Sequence, residues 1–427
     1  MKRYLFLLTL LVWVSLLPAQ TTLQKQLESL PHVSKVEKLE NTAGFTEKYL
    51  VSFVQDLDHA HPESGSFSQR VFVMHTGYDR PTVMVTEGYG AAYAASPRSN
   101  NELAQILNAN IVVVEHRYFL ASTPQLVNWS YLTVENSVYD LHRINQALKK
   151  IYPKKWLSTG ISKGGQTTNF YRAYFPDDVE VSVPYVAPLC SGVEDGRHEP
   201  FLRNFAGTTQ ERKAVLDFQR EVLKRRSLLL PLFEKVCEEK AYKFRLPIEE
   251  IYDYSVLEYS YAFWQWGTSV DSIPPLNASD KSIFDHFMKI SSPDYFVSES
   301  GISSFFVQAA RELGYYGYDT KPFEGLLKIE SAKGYLAKLV VPEPVQDIAF
   351  DPTVFNKVEH FMSTTDAKMI FIYGEYDPWS ATAVTNPHSS NILYLMDPKG
   401  SHRARVNNLP EEMKEQAIKT LKAWMLD

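Results

Sequence analysis

The sequence predicts an α/β protein: a doubly wound, mostly parallel sheet interrupted by a helical cap. Short apolar runs alternate with amphipathic segments between residues 47 and 189, and the apolar runs resume after residue 368. Several runs are apolar on both faces, as strands buried in a parallel sheet require. The alternation stops between about residues 190 and 340, where charged helical faces and aromatic residues dominate. That interruption predicts the inserted cap.

The predicted elements follow in chain order. Strands are expected at 49–54, 70–74, 82–86, 110–114, 156–159 and 179–183, and later at 368–373 and 392–396. Helices are expected at 102–107, 134–148 and 166–174, and charged helical faces at 211–224 and 234–243. A final helix should carry Pro410 in its first turn. The domain prediction is therefore a core of residues 45–189 and 341–427, with a cap of residues 190–340.

The first twenty residues are expected to be a secretory signal peptide rather than part of the fold. Lys2 and Arg3 form a positive start, residues 4–17 are apolar, and Ala19 offers a small residue for cleavage. The alternative is a membrane anchor, but the apolar run is short and no stop-transfer pattern follows. The sequence therefore predicts a secreted or periplasmic protein without a stable membrane anchor.

Composition limits the classes of partner and bears on the two cysteines. A formal net charge of −6 over 427 residues gives no electrostatic case for binding nucleic acid. In an oxidising compartment Cys190 and Cys237 could form one disulfide, although sequence alone does not show that they meet. The chain also carries 25 Tyr, 24 Phe and 7 Trp, enough for a large core and an aromatic-lined pocket.

A glycine-rich turn supplies a candidate nucleophile. The segment GISKGG at 160–165 contains Gly-x-Ser-x-Gly, with a predicted strand before it and a predicted helix after it. Such a tight turn needs glycines beside the serine because side chains there would clash. The pentapeptide alone could be a chance turn, but its position between strand and helix favours Ser162 as a nucleophile.

Two later loops supply an acid and a histidine in the order typical of α/β-hydrolases. GEYDPW at 374–379 follows one predicted strand and offers Asp377, with Glu375 as a rival acid. DPKGSH at 397–402 follows the last predicted strand and offers His402. Loops at the carboxyl ends of parallel strands are where such folds place ligands. The sequence therefore predicts a triad of Ser162, Asp377 and His402.

An oxyanion hole should accompany this triad. One donor is expected to be the backbone N–H of Lys163, the residue after the nucleophile. The second should come from the loop EGYG at 87–90, which assigns Gly88 and Tyr89 as candidates. No cofactor and no metal is predicted. The segment EHRY at 115–118 could suggest a metal, but adjacent residues on a strand point to opposite faces. A structural network in which Arg117 pairs with a buried carboxylate is expected instead.

The motifs GISKGG, EHRY, GEYDPW and GSH together resemble the secreted bacterial prolyl tri- and tetrapeptidyl aminopeptidases. More remotely they are similar to lysosomal Pro-X carboxypeptidase and dipeptidyl peptidase II. QAARELGYY at 308–316 resembles a motif in the cap of those enzymes. The resemblance implies an α/β-hydrolase fold and a serine exopeptidase that removes short peptides from free N-termini, preferentially after proline.

Such an exopeptidase needs a carboxylate for the substrate ammonium and a surface for proline. Glu312 leads the carboxylate candidates because of the motif, although a structural salt bridge would explain it equally; Glu87, Glu194 and Asp195 are the others. The aromatic cluster at 259–266 contains Trp264 and Trp266, and Tyr316 ends the 308–316 motif. These three aromatic residues are candidates for substrate contact, although a cap-core helix would explain the cluster equally.

Two other functions remain open at this point. The same triad could serve a carboxylic-ester hydrolase, which needs no ammonium anchor. A non-catalytic binding protein on a hydrolase scaffold would require a degraded triad or a blocked oxyanion loop, and the sequence shows neither. The length of the released peptide, the strictness for proline and the oligomeric state do not follow from the sequence.

Overall fold

The fold is described by a computed structural model that covers residues 22–298, 300–384 and 389–426. The predicted signal peptide lies outside the described residues. The sheet has nine strands in the spatial order β1-β2-β3-β5-β4-β6-β7-β8-β9. In chain order they are β1 Val33–Lys38, β2 Glu47–Asp56, β3 Ser66–His75, β4 Thr82–Thr86, β5 Asn110–Val114, β6 Trp156–Ile161, β7 Val181–Tyr185, β8 Lys368–Gly374 and β9 Ile392–Asp397.

The sheet is antiparallel at one edge and parallel elsewhere. β1, β2, β3 and β5 pair antiparallel in that order, whereas the pairs from β5 through β4, β6, β7 and β8 to β9 are parallel. Every residue of β4, β5 and β7 is buried, as expected for strands covered on both faces. The predicted α/β-hydrolase fold is therefore confirmed.

Helices cover both faces of this sheet. Within β3, Val71 and Val73 point into one apolar layer and Phe72 and Met74 into the other, because side chains alternate along a strand. The helices outside the predicted cap are α1 Thr22–Glu28, α2 Glu102–Leu107, α3 Val134–Leu148, α4 Lys163–Tyr174, α12 Thr353–Thr364 and α13 Glu411–Leu426.

Between the end of β7 and the start of α12 the described residues contain no strand and form seven α-helices. They are α5 His198–Asn204, α6 Thr209–Lys224, α7 Arg226–Glu239, α8 Ile248–Gln265, α9 Asp280–Ile290, α10 Ser303–Gln308 and α11 Tyr335–Leu339. The C-terminal end of α8 reaches the loop after β9, where the His402 N–H donates to the Gln265 carbonyl at 2.9 Å. This contact joins the helical segment directly to a predicted site residue.

Two features differ from the sequence prediction. α1 and β1 precede the first predicted element; β1 was missed because this edge strand buries none of its residues and carries three charges. The disulfide left possible by the sequence is not formed, since Cys190 and Cys237 are both free and buried. Cys190 follows β7 and its Sγ lies 3.6 Å from the Thr382 hydroxyl, whereas Cys237 lies on α7. The two thiols therefore lie on different elements of the fold.

Candidate active site

Ser162 forms the turn between β6 and α4. β6 ends at Ile161 and α4 begins at Lys163, so one residue makes the reversal, and its φ is 58°. That conformation is strained for a residue with a side chain, and strain of this kind is typical of a nucleophile held at a sharp turn. A Cβ at Gly160 would lie 2.2 Å from the Gly164 carbonyl oxygen, so only glycine fits there.

Asp377 and His402 come together at the same edge of the sheet. Asp377 follows β8, His402 follows β9, and Asp377 Oδ2 lies 2.6 Å from His402 Nδ1. Both side chains are buried, at 0% and 4% exposure. The rival acid Glu375 accepts a hydrogen bond from the Lys399 N–H at 2.7 Å instead. The structure therefore pairs the histidine with Asp377.

The other ring nitrogen of His402 has no hydrogen-bond partner among the described residues. Nε2 is buried and makes no hydrogen bond within the described residues, so the expected bond from the Ser162 hydroxyl is not formed here. Catalytic hydrogen bonds are often long before substrate binds, and this geometry leaves Nε2 available as a proton acceptor. The edge of the His402 ring faces the Trp266 ring, with centroids 6.0 Å apart.

The loop at 87–90, predicted to supply an oxyanion donor, packs against the first residues of α4. A Cβ at Gly88 would lie 2.6 Å from Lys163 Cβ and 2.7 Å from the Gly164 nitrogen, so this approach requires glycine. The Lys163 side chain is buried, and its Nζ donates to the Gly88 carbonyl at 2.7 Å. Lys163, Gly88 and Tyr89 are therefore gathered beside Ser162, as an oxyanion hole requires.

Ser162 opens into a cavity of about 290 Å³, here called the Ser162 cavity. Of the predicted aromatic contacts, Trp266 and Tyr316 line it but Trp264 does not. Trp264 packs against Tyr376, with ring centroids 5.8 Å apart, and lines a separate cavity among α5, α6 and α8. The aromatic residues of the Ser162 cavity are Tyr89, Trp266, Tyr295, Phe305, Tyr315, Tyr316 and Trp379.

None of the four carboxylates proposed from sequence lines this cavity. Glu312 accepts a hydrogen bond from the Val134 N–H at 2.8 Å and so caps the N-terminus of α3. Glu87 accepts from the Tyr93 hydroxyl at 2.5 Å. Glu194 accepts from the Gly334 N–H, and Asp195 pairs with Arg197. Each of these four side chains is occupied by a contact that stabilises the fold.

A carboxylate that the sequence analysis missed does line the cavity. Glu258 on α8 is 7% exposed, and its Oε2 accepts hydrogen bonds from the hydroxyls of Tyr316 at 2.9 Å and Tyr318 at 2.7 Å. No hydrogen bond within the described residues reaches its Oε1. Burial raises the pKa of the Glu258 carboxyl to about 7, although the two hydroxyls act in the opposite direction.

Helical spacing could have identified Glu258. It lies immediately before the predicted aromatic cluster, and Ala262 and Gln265 follow at i+4 and i+7, on the same helix face. All three line the Ser162 cavity. A second carboxylate of the cavity, Asp294, is exposed, so water competes for its charge.

The EHRY segment forms the expected structural network. Arg117 donates from Nε and Nη2 to the two oxygens of Asp140, each at 2.7 Å, and both side chains are buried. This confirms the predicted pairing with a buried carboxylate. Across the ranges that the structure describes, no group of three or more His, Cys, Asp or Glu side chains is placed to hold a metal ion.

Known proteins are similar to this chain over most of its length. A prolyl tri/tetrapeptidyl aminopeptidase of Streptomyces mobaraensis is 31% identical over 88% of this chain and 80% of its own. A probable serine protease, EDA2, of Arabidopsis thaliana is 22% identical over 84% and 81%. A proline iminopeptidase structure from Mycobacterium smegmatis aligns over 88% of this chain and 99% of its own, at 12% identity and a TM-score of 0.40.

The family profile described as PS-10 peptidase S37 matches residues 17–426, almost the whole chain. This match includes the turn at Ser162 and the loops that carry Asp377 and His402. The chain therefore belongs to the peptidase S37 family.

Proposed function

We propose that the protein is a serine exopeptidase that releases tri- or tetrapeptides from free N-termini, preferring proline before the scissile bond. The Streptomyces relative is named for this activity. The observation that carries the proposal is the position of Glu258. This buried carboxylate lines the same cavity as the nucleophile, and one of its oxygens accepts no hydrogen bond from the residues that the structure describes.

In the proposed mechanism Ser162 attacks the scissile carbonyl while His402 Nε2 takes its proton. Asp377 orients the imidazole through Nδ1 and stabilises the imidazolium that forms. The protonated Nε2 then gives its proton to the leaving amine, and water hydrolyses the acyl-enzyme by the same route in reverse. The backbone N–H groups of Lys163 and Tyr89 stabilise the tetrahedral oxyanion.

In this proposal Glu258 makes the enzyme specific for a free N-terminus by pairing with the substrate ammonium. A substrate ammonium that enters this largely buried site loses its hydration and must be paired with a negative charge. Charge-assisted hydrogen bonds from an ammonium to a carboxylate are stronger than neutral ones, and Oε1 is open to accept them. An acetylated N-terminus has no charge to offer, so it would leave Glu258 buried without a counter-ion.

The aromatic walls suit a proline ring. Tyr315 lies edge-on to Trp379, with centroids 5.4 Å apart, and Phe305 packs near Tyr89 at 5.5 Å. Proline presents a rigid apolar ring that buries well against such faces. We propose that these residues, with Trp266 and Tyr316, form the substrate surface, and that residues 190–340 act as a cap that restricts access to short chain ends.

The proposal is tested by combining Glu258→Gln with N-acetylation of the substrate. For a proline-ended tripeptide anilide with a free amine, kcat/KM is expected to fall about 100-fold in the variant, the cost of losing one partner of a buried charge pair. For the N-acetylated form of the same substrate, kcat/KM of the variant and of the parent should differ by less than about threefold. Steady-state kinetics on the four combinations measures the coupling.

Glu312→Gln is the matched control, because burial also raises the pKa of Glu312 to about 7 but this residue caps α3 outside the cavity. Its kcat/KM should stay within about twofold of the parent. Asp294→Asn tests the exposed rival. If Asp294→Asn and not Glu258→Gln abolishes the preference for a free amine, the assignment to Glu258 is wrong. Hydrolysis of short acyl esters without peptide cleavage would favour an ester hydrolase instead.

The pH dependence follows from the raised pKa of Glu258. With a pKa of about 7, its ionised fraction rises as the pH passes through 7, while a peptide α-amine loses its proton near about pH 8. The hydroxyls of Tyr316 and Tyr318 stay protonated because burial raises their pKa. The ratio of kcat/KM for free-amine to acetylated substrate should therefore peak between about pH 7 and 8. Titration of the triad affects both substrates equally and so cancels in this ratio. A ratio that does not change with pH would contradict the assignment of Glu258 as the ammonium partner.

We also propose that the protein is exported, to the periplasm or out of the cell. The support is the positive start, short apolar run and small residue within residues 1–20. Along the part of the chain that the structure describes, no helix combines the length and apolar character needed to cross a bilayer. N-terminal sequencing of the protein recovered from the producing cells should show a chain that begins near residue 21, and an intact N-terminus would contradict export by this signal.

A further inference from the structure

Lys163 carries a buried amine that the proposed mechanism does not use. The residue contributes its backbone N–H to the oxyanion hole, yet its side chain is only 3% exposed. Among the described residues no carboxylate lies within salt-bridge distance of its Nζ, which donates a hydrogen bond to the Gly88 carbonyl at 2.7 Å. Moving an amine out of water costs free energy in either protonation state, so the buried position of this side chain calls for a functional explanation.

The surroundings of Lys163 hold its Nζ in one place. It lies 5.7 Å from the ring centroid of Tyr89 and 5.4 Å from that of Phe119, within range of a cation–π interaction. Burial lowers the pKa of Lys163 well below its usual value, and the nearby Glu87 carboxyl acts in the opposite direction. Burial thus favours the neutral amine, whereas the aromatic rings and the carboxylate favour the charged one, and in either state Nζ carries an N–H that donates to the Gly88 carbonyl.

We propose that the Lys163 side chain is a positioning residue that fixes the Gly88–Tyr89 peptide so that the Tyr89 N–H faces the oxyanion. In a trans peptide the C=O and the N–H point in opposite directions. When Nζ holds the Gly88 carbonyl, the Tyr89 N–H of the same peptide therefore points away from Nζ. Tyr89 lines the Ser162 cavity, and its N–H donates no hydrogen bond within the described residues.

This arrangement also distinguishes the two candidate donors of the loop. The Gly88 N–H interacts with the carboxylate of Glu87, which it helps to keep ionised. The Tyr89 N–H has no acceptor among the described residues, so it remains available to donate to the oxyanion of the substrate. A single residue, Lys163, would then supply one oxyanion donor from its backbone and orient the second through its side chain.

The inference rests on Ser162 as the nucleophile but not on peptide specificity, so it is tested with a p-nitrophenyl ester as well as a peptide anilide. Lys163→Met is expected to lower kcat about 100- to 1,000-fold on any substrate that the parent hydrolyses, with KM within about threefold, as for loss of one oxyanion donor. The inhibition constant of a peptidyl trifluoromethyl ketone, whose adduct carries the oxyanion, should rise by a similar factor.

The melting temperature separates this role from a structural one. Replacing a buried cation by an apolar side chain of similar length is often neutral or stabilising, so Lys163→Met should melt no lower than the parent. If kcat and the inhibition constant are unchanged, or if KM rises as much as kcat falls, the positioning role is overturned. A parent protein that hydrolyses neither substrate would overturn both this inference and the proposed function, whereas ester hydrolysis alone would overturn only the latter.

A crystal structure of the parent protein with the trifluoromethyl ketone bound tests the same point without a variant. The oxyanion is expected within hydrogen-bond distance of the Lys163 and Tyr89 nitrogens, with Nζ still on the Gly88 carbonyl. An adduct in which the Tyr89 N–H points away from the oxyanion, or in which Nζ has left the Gly88 carbonyl, would overturn the proposal.

Discussion

Ser162→Ala is expected to lower kcat about a million-fold while leaving the fold intact. Removing the nucleophile of a serine triad has an effect of this order, because the remaining groups cannot act without it. Alanine tolerates the φ of 58° no worse than serine does, since both carry a Cβ, so the turn should persist. The measurement is kcat for the free-amine tripeptide anilide, with circular dichroism and the melting temperature as checks on folding.

Covalent labelling provides the control for this variant. A fluorophosphonate should modify the parent protein at Ser162, as located by mass spectrometry of its peptides, and should not modify Ser162→Ala. Labelling of another serine in the parent, or activity in the variant above about a thousandth of the parent value, would mean that Ser162 is not the nucleophile.

Asp377→Asn has the second-largest expected effect, about a 10,000-fold loss of kcat. Asp377 Oδ1 accepts from the Trp379 N–H at 3.1 Å, so an asparagine should keep its oxygen there and turn its NH₂ toward His402. The amide would then donate to Nδ1 and force the ring proton onto Nε2. In that tautomer Nε2 cannot accept the proton of Ser162. The loss should appear in kcat with the melting temperature little changed.

Glu375→Gln is the matched control for Asp377→Asn. Both acids lie in the loop after β8, but Glu375 accepts from the Lys399 N–H and does not contact the histidine. Its kcat should remain within about threefold of the parent value. If Glu375→Gln were the damaging change and Asp377→Asn the tolerated one, the pairing of Asp377 with His402 would not describe the working enzyme.

Sequence pattern predicted the parts of the fold that burial dictates. β4, β5 and β7 are apolar on both faces because helices cover both sides of the sheet, and this property is visible without coordinates. The turn at Ser162 is likewise encoded locally, since Gly160 has no room for a Cβ. β1 could not be predicted in this way because an exposed edge strand lacks an apolar face.

The proposed substrate-binding residues were harder to predict because they depend on how helices distant in sequence meet. Glu312 belongs to a recognisable motif, yet it caps α3. Glu258 belongs to no motif that was recognised, yet it reaches the cavity with two tyrosine hydroxyls from another segment. Likewise, sequence could offer Cys190 and Cys237 as a pair but could not show that both are free in the folded chain.

The most direct test of the central claim is to identify the products released from a ten-residue peptide with proline at positions 3 and 7. The parent protein, a Ser162→Ala control and an N-acetylated twin of the peptide would be compared by mass spectrometry over time. The account predicts that the first cut releases the N-terminal tripeptide, that the acetylated twin stays intact and that the control is inactive. Early cleavage after position 7 in the acetylated peptide would contradict the account, because it would show an endopeptidase that does not require a free N-terminal amine.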